Sequence, residues 1–357
     1  MSSPRPSSWI DQSCPLPSPE HEAEARGRQA QLTKPAGSLG ALEDIAITLA
    51  ALQRRSAPRA DKAPVVLFAG DHGVTAQGIS AYPSEVTVQM LANFASGGAA
   101  IAVLARQLGV TLTVVDAGTL AEGALKGVVT DKPRRGTRDF AVEKAMTDDE
   151  LDFALAAGQR QFERAIANGA DLILFGEMGI GNTTSAAAVA AALLGIDPSA
   201  IAGRGTGLDD AGVERKSRVI RDALKLHGLD GGKPEARAAL LAVGGLEIAA
   251  LAGAIVAAAQ AGVPVLVDGF IVSVAALAAV RLNASVRPWL LFAHRSAEQG
   301  HACVLEALEA RPILDLGLRL GEGSGAATAL SVIRLACALH SGMATFAEAA
   351  VSERGPA

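Results

Sequence analysis

Apolar residues fall along this chain in two rhythms. Six short unbroken runs stand out, at 63–70 (APVVLFAG), 111–118 (TLTVVDAG), 171–177 (DLILFGE), 263–269 (VPVLVDG), 288–294 (PWLLFAH) and 312–317 (PILDLG). Each closes on a glycine or a polar residue, and none alternates with polar positions. Such runs predict strands covered on both faces. Between them, Ala-rich stretches predict helices over 84–108, 147–168, 183–194, 209–227, 246–261, 271–282, 296–308 and 325–341. Thr147 and Glu150 have the spacing of a capping box at the start of one of these. The alternation predicts an α/β fold: a doubly wound, mostly parallel sheet flanked by Ala-rich helices. A further helix over 39–53 is expected to pack beside the sheet, with the C-terminal segment, as a small helical subdomain. No fixed-period repeat occurs, which argues against a solenoid.

The expected organisation is a flexible Ser- and Pro-rich tail (1–20), an N-terminal helical segment (21–60), an α/β catalytic domain (61–340) and a C-terminal segment (341–357). The tail has no apolar h-region and does not read as a signal peptide. The longest apolar stretch, 248–263, is shorter than the roughly 20 residues a bilayer span needs. It is rich in Ala and Gly and is followed by Pro264, so a tightly packed soluble helix is expected and no membrane span.

Composition narrows the function classes. Nine Phe, two Trp and one Tyr in 357 residues leave little for base-stacking platforms or Trp-lined sugar clefts. The net charge of −5 lacks the bulk electrostatics for a nucleic-acid backbone, so any phosphate must be held locally. Cys14, Cys303 and Cys337 form neither a disulfide framework nor a CxxC pair, which fits a cytoplasmic protein.

In a doubly wound sheet, ligands bind at the carboxyl ends of the strands, and the Gly-rich pieces of this sequence fall there. Gly176-Glu177-Met178-Gly179-Ile180-Gly181-Asn182-Thr183-Thr184 follows a strand and opens a helix. It reads equally as an anion cradle at a helix N-terminus and as a tight capped turn. No GK[ST] occurs, so it is not a Walker loop. The 203–209 turn (GRGTGLD) precedes a helix carrying Arg215, Lys216 and Arg218, which reads as a solvated face or as a reach toward phosphate. Glu322, flanked by glycines in Gly321-Glu322-Gly323, is either a helix-N-terminal acid or a carboxylate open to substrate. Asp71, His72 and His294 would serve a metal-dependent phosphoesterase, although no recognised metal spacing is present. A non-catalytic nucleotide-binding module is a second rival. No GxSxG elbow marks an acyl-transfer nucleophile.

Seven strings together resemble the nicotinate-nucleotide–dimethylbenzimidazole phosphoribosyltransferase family: KPAGSLGALE (34–43), FAGDHGV (68–74), EMGIGNTTSAAA (177–188), GRGTGLDD (203–210), VDGFIVS (267–273), AHRSAEQGH (293–301) and LRLGEGSGAA (318–327). They occur in the family's order from about 34 to 340. The resemblance implies transfer of the phosphoribosyl group of nicotinate mononucleotide to 5,6-dimethylbenzimidazole, a step of cobalamin biosynthesis, by a homodimer with no metal or redox cofactor. It implies that Glu322 is the catalytic base, Glu177 a second active-site acid and Lys216 the active-site lysine. Gly179, Gly181, Asn182, Thr183 and Ser296 fall in the region implied to hold the nucleotide phosphate, and Arg204 is a further implied substrate-binding residue. The implied benzimidazole pocket is the Ser80 to Gln89 segment, with Met178 and Leu320 as apolar walls.

Overall fold

The computed structural model describes residues 9–205 and 207–352. Two helices, α1 (Pro19–Gln31) and α2 (Ala41–Gln53), come before the first strand. The strands are β1 (Val65–Gly70), β2 (Leu112–Gly118), β3 (Val129–Thr130), β4 (Ile173–Met178), β5 (Val265–Val267), β6 (Leu290–His294) and β7 (Pro312–Leu314). They form one sheet in the order β3-β2-β1-β4-β5-β6-β7, every pair parallel. All six runs read from the sequence are strands. The two-residue edge strand β3 was missed because it carries no apolar run. The order reverses between β1 and β4, which is the switch point where such sheets open a crevice.

The other helices are α3 (Glu85–Ser96), α4 (Ala100–Leu108), α5 (Asp148–Ala165), α6 (Asn182–Leu194), α7 (Asp210–Leu226), α8 (Ala236–Val243), α9 (Leu246–Gln260), α10 (Phe270–Leu282), α11 (His301–Ala307) and α12 (Ser324–Gly342). The capping box before α5 is present, with Thr147 and Glu150 each accepting from the other's backbone N–H. The apolar stretch 248–263 lies almost wholly in α9, whose side chains are buried. Helices α5 and α9 touch backbone to backbone. A Cβ at Gly158 would stand 1.8 Å from Ala250 O, and one at Gly253 would stand 2.1 Å from Leu155 O. Small residues there are a packing requirement.

Three expectations need correction. The helix expected over 84–108 is two helices, because Gly97 takes a left-handed φ of 86° and caps α3. Glu85–Leu108 is long and apolar enough by composition to cross a membrane. The turn divides it into pieces of 12 and 9 residues, each short of a span. The helix expected from 296 begins only at His301, since residues 296–300 form a loop of the site. The tail expected to be flexible through residue 20 lies outside the described residues only for 1–8. From Trp9 onward it is anchored: Gln260 donates to Trp9 O and Gln12 O, and Trp289 Nε1 donates to Pro15 O at 2.9 Å. Ile10 and Cys14 are buried in the core. Helix α1 starts at Pro19, capped by Ser18, and its charged sequence carries no apolar stripe to announce it.

The chain ends meet. Leu32 bridges Thr345 in antiparallel fashion, and Arg28 donates to the carbonyls of His340 and Met343. Helices α1 and α2 pack on each other, and α2 packs on α12.

Candidate active site

A cavity of about 460 Å³ opens beyond the carboxyl ends of β4, β5 and β6. Four carboxyl groups line it: half-buried Glu298 from the loop after β6, and three that stand where a strand gives way to a helix. Glu177 stands near the end of β4, ahead of the Gly179–Gly181 turn into α6. Asp268 follows β5 and precedes α10. Glu322 precedes α12. All three are buried and line the cavity. The helix N-termini behind them offset part of the negative charge.

The geometry of each turn explains its glycines. Gly181 adopts φ 93°, and a Cβ at Gly179 would sit 2.2 Å from Gly70 O, so the turn lies directly on the end of β1. Gly321, Glu322 and Gly323 are all left-handed, with φ of 83°, 63° and 85°. For a non-glycine residue this costs of order 1–3 kcal/mol and persists only where surroundings enforce it. Here they do: Glu322 O lies 2.2 Å from where a Cβ on Gly176 would be, so the turn is pressed onto β4. Glu322 Oε2 accepts from Ile101 N–H, at the start of α4, at 3.4 Å.

Burial dominates the electrostatics. It pushes the Glu177 carboxyl up to about 8, with Asp268 and Glu247 adding to the rise, while Asn182 Nδ2 donates to Glu177 Oε2 and opposes it. Glu177 is therefore protonated at neutral pH in the free protein. Burial, then the charge of Asp268, also raises Glu322, while backbone N–H groups of α4 oppose the rise. Burial raises Asp268 as well.

Lys216, on α7, is buried behind the cavity wall and does not line it. Its Nζ donates to Thr183 Oγ1 at 3.0 Å and Gly203 O at 3.1 Å, and burial pushes its pKa down to about 8. Thr183 and Gly205 form the wall in front of it. Ser296 lines the cavity, and its backbone N–H donates to His301 Nδ1 at 2.8 Å. The proton of that imidazole is then on Nε2, which donates to Ser273 Oγ at 2.9 Å. Burial holds His301 down to about 3, so this neutral tautomer fixes the Ser296 loop at neutral pH.

Glu177, Met178, Gly179, Asn182, Thr183, Ser296, Leu320 and Glu322 thus meet at one cavity. Besides Lys216, four expected residues do not line it. Gly181 shapes the turn from behind. Arg204 is exposed and bonded to Asp210 and to Leu208 O. Ser80 Oγ accepts from Tyr82 N–H outside the cavity wall. Gln89 is exposed on α3, whose Val86 and Met90 line the cavity with Tyr82. Apolar lining comes from Tyr82, Val86, Met90, Met178, Ile180 and Leu320, and from Phe270, Ile271 and Val272 at the start of α10.

Asp268 and His294 were not among the expected substrate-site residues, yet both line the cavity. The signal for Asp268 was present, since it closes its strand in VDG much as Glu177 does in FGE. His72, weighed as a metal ligand, has both ring nitrogens engaged, with Ser185 Oγ and Glu247 Oε1, each at 2.8 Å. No cluster of three or more His, Cys, Asp or Glu suited to a metal occurs among the described residues.

Comparison with known proteins identifies the family. A family described as a phosphoribosyltransferase matches residues 14–351. A nicotinate-nucleotide–dimethylbenzimidazole phosphoribosyltransferase from a Bradyrhizobium species is 67% identical over 346 residues, covering 97% of this chain and 98% of that protein. A protein of the same name from Pseudomonas putida is 59% identical over 347 residues, with the same coverage. The crystal structure of CobT from Thermus thermophilus superposes with a TM-score of 0.90 at 46% identity, covering 94% of this chain and all of that one. By sequence along nearly its whole length and by fold, this chain belongs to the nicotinate-nucleotide–dimethylbenzimidazole phosphoribosyltransferase family.

Proposed function

We propose that Glu322 is the general base of the family's reaction in this cavity. The enzyme transfers the 5-phosphoribosyl group of nicotinate mononucleotide to 5,6-dimethylbenzimidazole, giving α-ribazole 5′-phosphate and nicotinate, in cobalamin biosynthesis. The observation that carries the proposal is the position of Glu322. Its carboxyl faces a cavity with an apolar wall on one side and polar groups around Thr183 and Ser296 on the other.

The donor carries a pyridinium leaving group, which departs with a neutral ring and needs no acid. The acceptor attacks C1′ through one imidazole nitrogen while the other carries a proton. A carboxylate on that N–H takes the proton as positive charge develops, a contribution of about 10²–10⁴-fold. Attack opposite the leaving group inverts the β-nucleotide to an α-product. The flat aromatic acceptor belongs against Met178, Leu320 and Val86, and the phosphate against the N-terminus of α6, Thr183 and Ser296, with Lys216 behind. Glu177 is neutral in the free protein. The cationic pyridinium and then the oxocarbenium-like transition state favour its ionised form, so its charge strengthens where the reaction needs it.

The same reading includes a cytoplasmic homodimer. Support for the dimer comes from the family resemblance, and support for the location from the three free cysteines.

The test mixes pure protein with nicotinate mononucleotide and dimethylbenzimidazole. Release of nicotinate coupled to a product with the mass of α-ribazole 5′-phosphate, unaffected by EDTA, supports the reading. Binding without nicotinate release makes the protein a nucleotide-binding module. Loss of activity in EDTA, restored by zinc or manganese, revives the phosphoesterase.

A further inference from the structure

We propose that Asp268 is a positioning residue for Glu322, holding the turn that presents the base and setting the electrostatic field around its carboxylate; this rests on the role of Glu322 given above. Asp268 Oδ2 accepts from Gly323 N–H at 3.2 Å, and Oδ1 accepts from Ala326 N–H at 2.7 Å. Gly323 is the residue after Glu322, and Ala326 lies in the first turn of α12. The turn is thus clamped from two directions, by β4 through the close approach of Gly176 and by β5 through Asp268. Without the second clamp, a left-handed glutamate between two glycines has little to keep it there.

Opposing the rise that burial gives the Asp268 carboxyl are His294 and the backbone N–H groups of Ala326, Gly269 and Gly323. The Asp268 carboxylate lies at the start of α12 and immediately before α10. His294 Nε2 stands 3.8 Å from Asp268 Oδ1. The His294 ring is buried, and neither nitrogen has a hydrogen-bond partner among the described residues. Its slot exists because Gly325 and Gly269 lack side chains: a Cβ at Gly325 would fall 2.1 Å from the ring. The charged group acting on Glu322 is Asp268 from the end of β5, and His294 on β6 acts in turn on Asp268. Opposing the effect of Asp268 on Glu322 are the backbone N–H groups of Ala100 and Ile101 at α4. A negative Asp268 beside Glu322 makes that carboxylate a stronger base.

Asp268→Asn keeps the shape but loses the charge and one of the two acceptors. It should lower kcat about tenfold or more while changing KM for both substrates less than about threefold. The acidic limb of kcat/KM should move to lower pH, because loss of a neighbouring negative charge lowers the Glu322 pKa. Substrate titration is common to both proteins and does not contribute to the difference. Asp268→Glu, which keeps the charge, should return the limb toward its wild-type position. A lowered melting temperature with the limb unmoved would reduce Asp268 to a helix cap and overturn the proposal. Should these variants fail to fold, ¹³C-carboxyl titration of Glu322 in the wild type decides, assigned by its loss in Glu322→Gln. Titration at the ordinary glutamate value of about 4.3 overturns the proposal; a raised curve in a single step, which burial alone gives, also overturns it, and a raised curve with the two inflections of a coupled carboxyl pair supports it. Wild-type protein that makes no α-ribazole phosphate would instead refute the proposed function.

Discussion

Replacing Glu322 by glutamine removes one capability and little else. The amide matches the carboxylate in size, its oxygen can still accept from Ile101 N–H, and the left-handed backbone is unchanged. What it cannot do is take a proton from the acceptor. Deleting a general base costs about 10²-fold or more in turnover, which is about 2.7 kcal/mol of barrier at 1.36 kcal/mol per tenfold. Affinity for both substrates should stay near wild type, because the lost interaction belongs to the transition state. Stability separates this from a capping role. Burial and Asp268 hold the Glu322 carboxyl above its ordinary range, so folding favours its protonated form. Its contribution is therefore present at low pH and lost as pH rises through the folded pKa. At pH 8 the glutamine variant should melt no lower than wild type. A mere N-terminal acid of α12 would behave oppositely: its loss would lower stability by at most about 1 kcal/mol and spare turnover. The assay measures kcat, both substrate affinities and melting temperature on one purified variant. Near-wild-type kcat with a lowered melting point would refute the reasoning.

Glu177, held up to about 8, favours the folded state fully below its unfolded value of about 4.5, and that contribution is lost as pH rises through 8. Glu177→Gln should therefore flatten the fall in melting temperature between about pH 5 and 9, and an unchanged slope in thermal melts would refute the assignment. Lys216→Ala should raise KM for nicotinate mononucleotide about tenfold or more and leave KM for dimethylbenzimidazole within about threefold, since its ammonium backs only the Thr183 wall. Initial-rate kinetics with each substrate varied would show the split. Unsubstituted benzimidazole should remain a substrate with lower kcat/KM, because a methyl in an apolar site is worth about 1–3 kcal/mol. Complete refusal in a turnover assay would displace the Met178, Val86 and Leu320 wall.

The strands were legible because each is a continuous apolar run with a polar stop, and the helix breaks were less so. Gly97 looked like any glycine in an apolar helix until its left-handed turn separated α3 from α4. Helix α1 was invisible because it buries little beyond Ala25 and Gln29. At the site, Glu177 and Glu322 could be read from glycine-flanked acids at strand ends. Asp268 follows the same rule as Glu177, beside one glycine at a strand end, but its partners at Gly323 and Ala326 are far along the chain. Ser80 lies in the loop ahead of α3, and it is Val86 and Met90 of α3, not Gln89, that line the cavity.

The account stands most directly on where the acceptor sits relative to Glu322. A crystal structure of the wild-type enzyme with dimethylbenzimidazole and nicotinate mononucleotide, or with their products, measures that placement. The expected result is a ring against Met178 and Leu320, with one imidazole nitrogen about 2.6–3.2 Å from a Glu322 carboxyl oxygen and the phosphate beside Thr183 and Ser296. A base bound elsewhere, or one whose ring nitrogens both face away from Glu322, would contradict it.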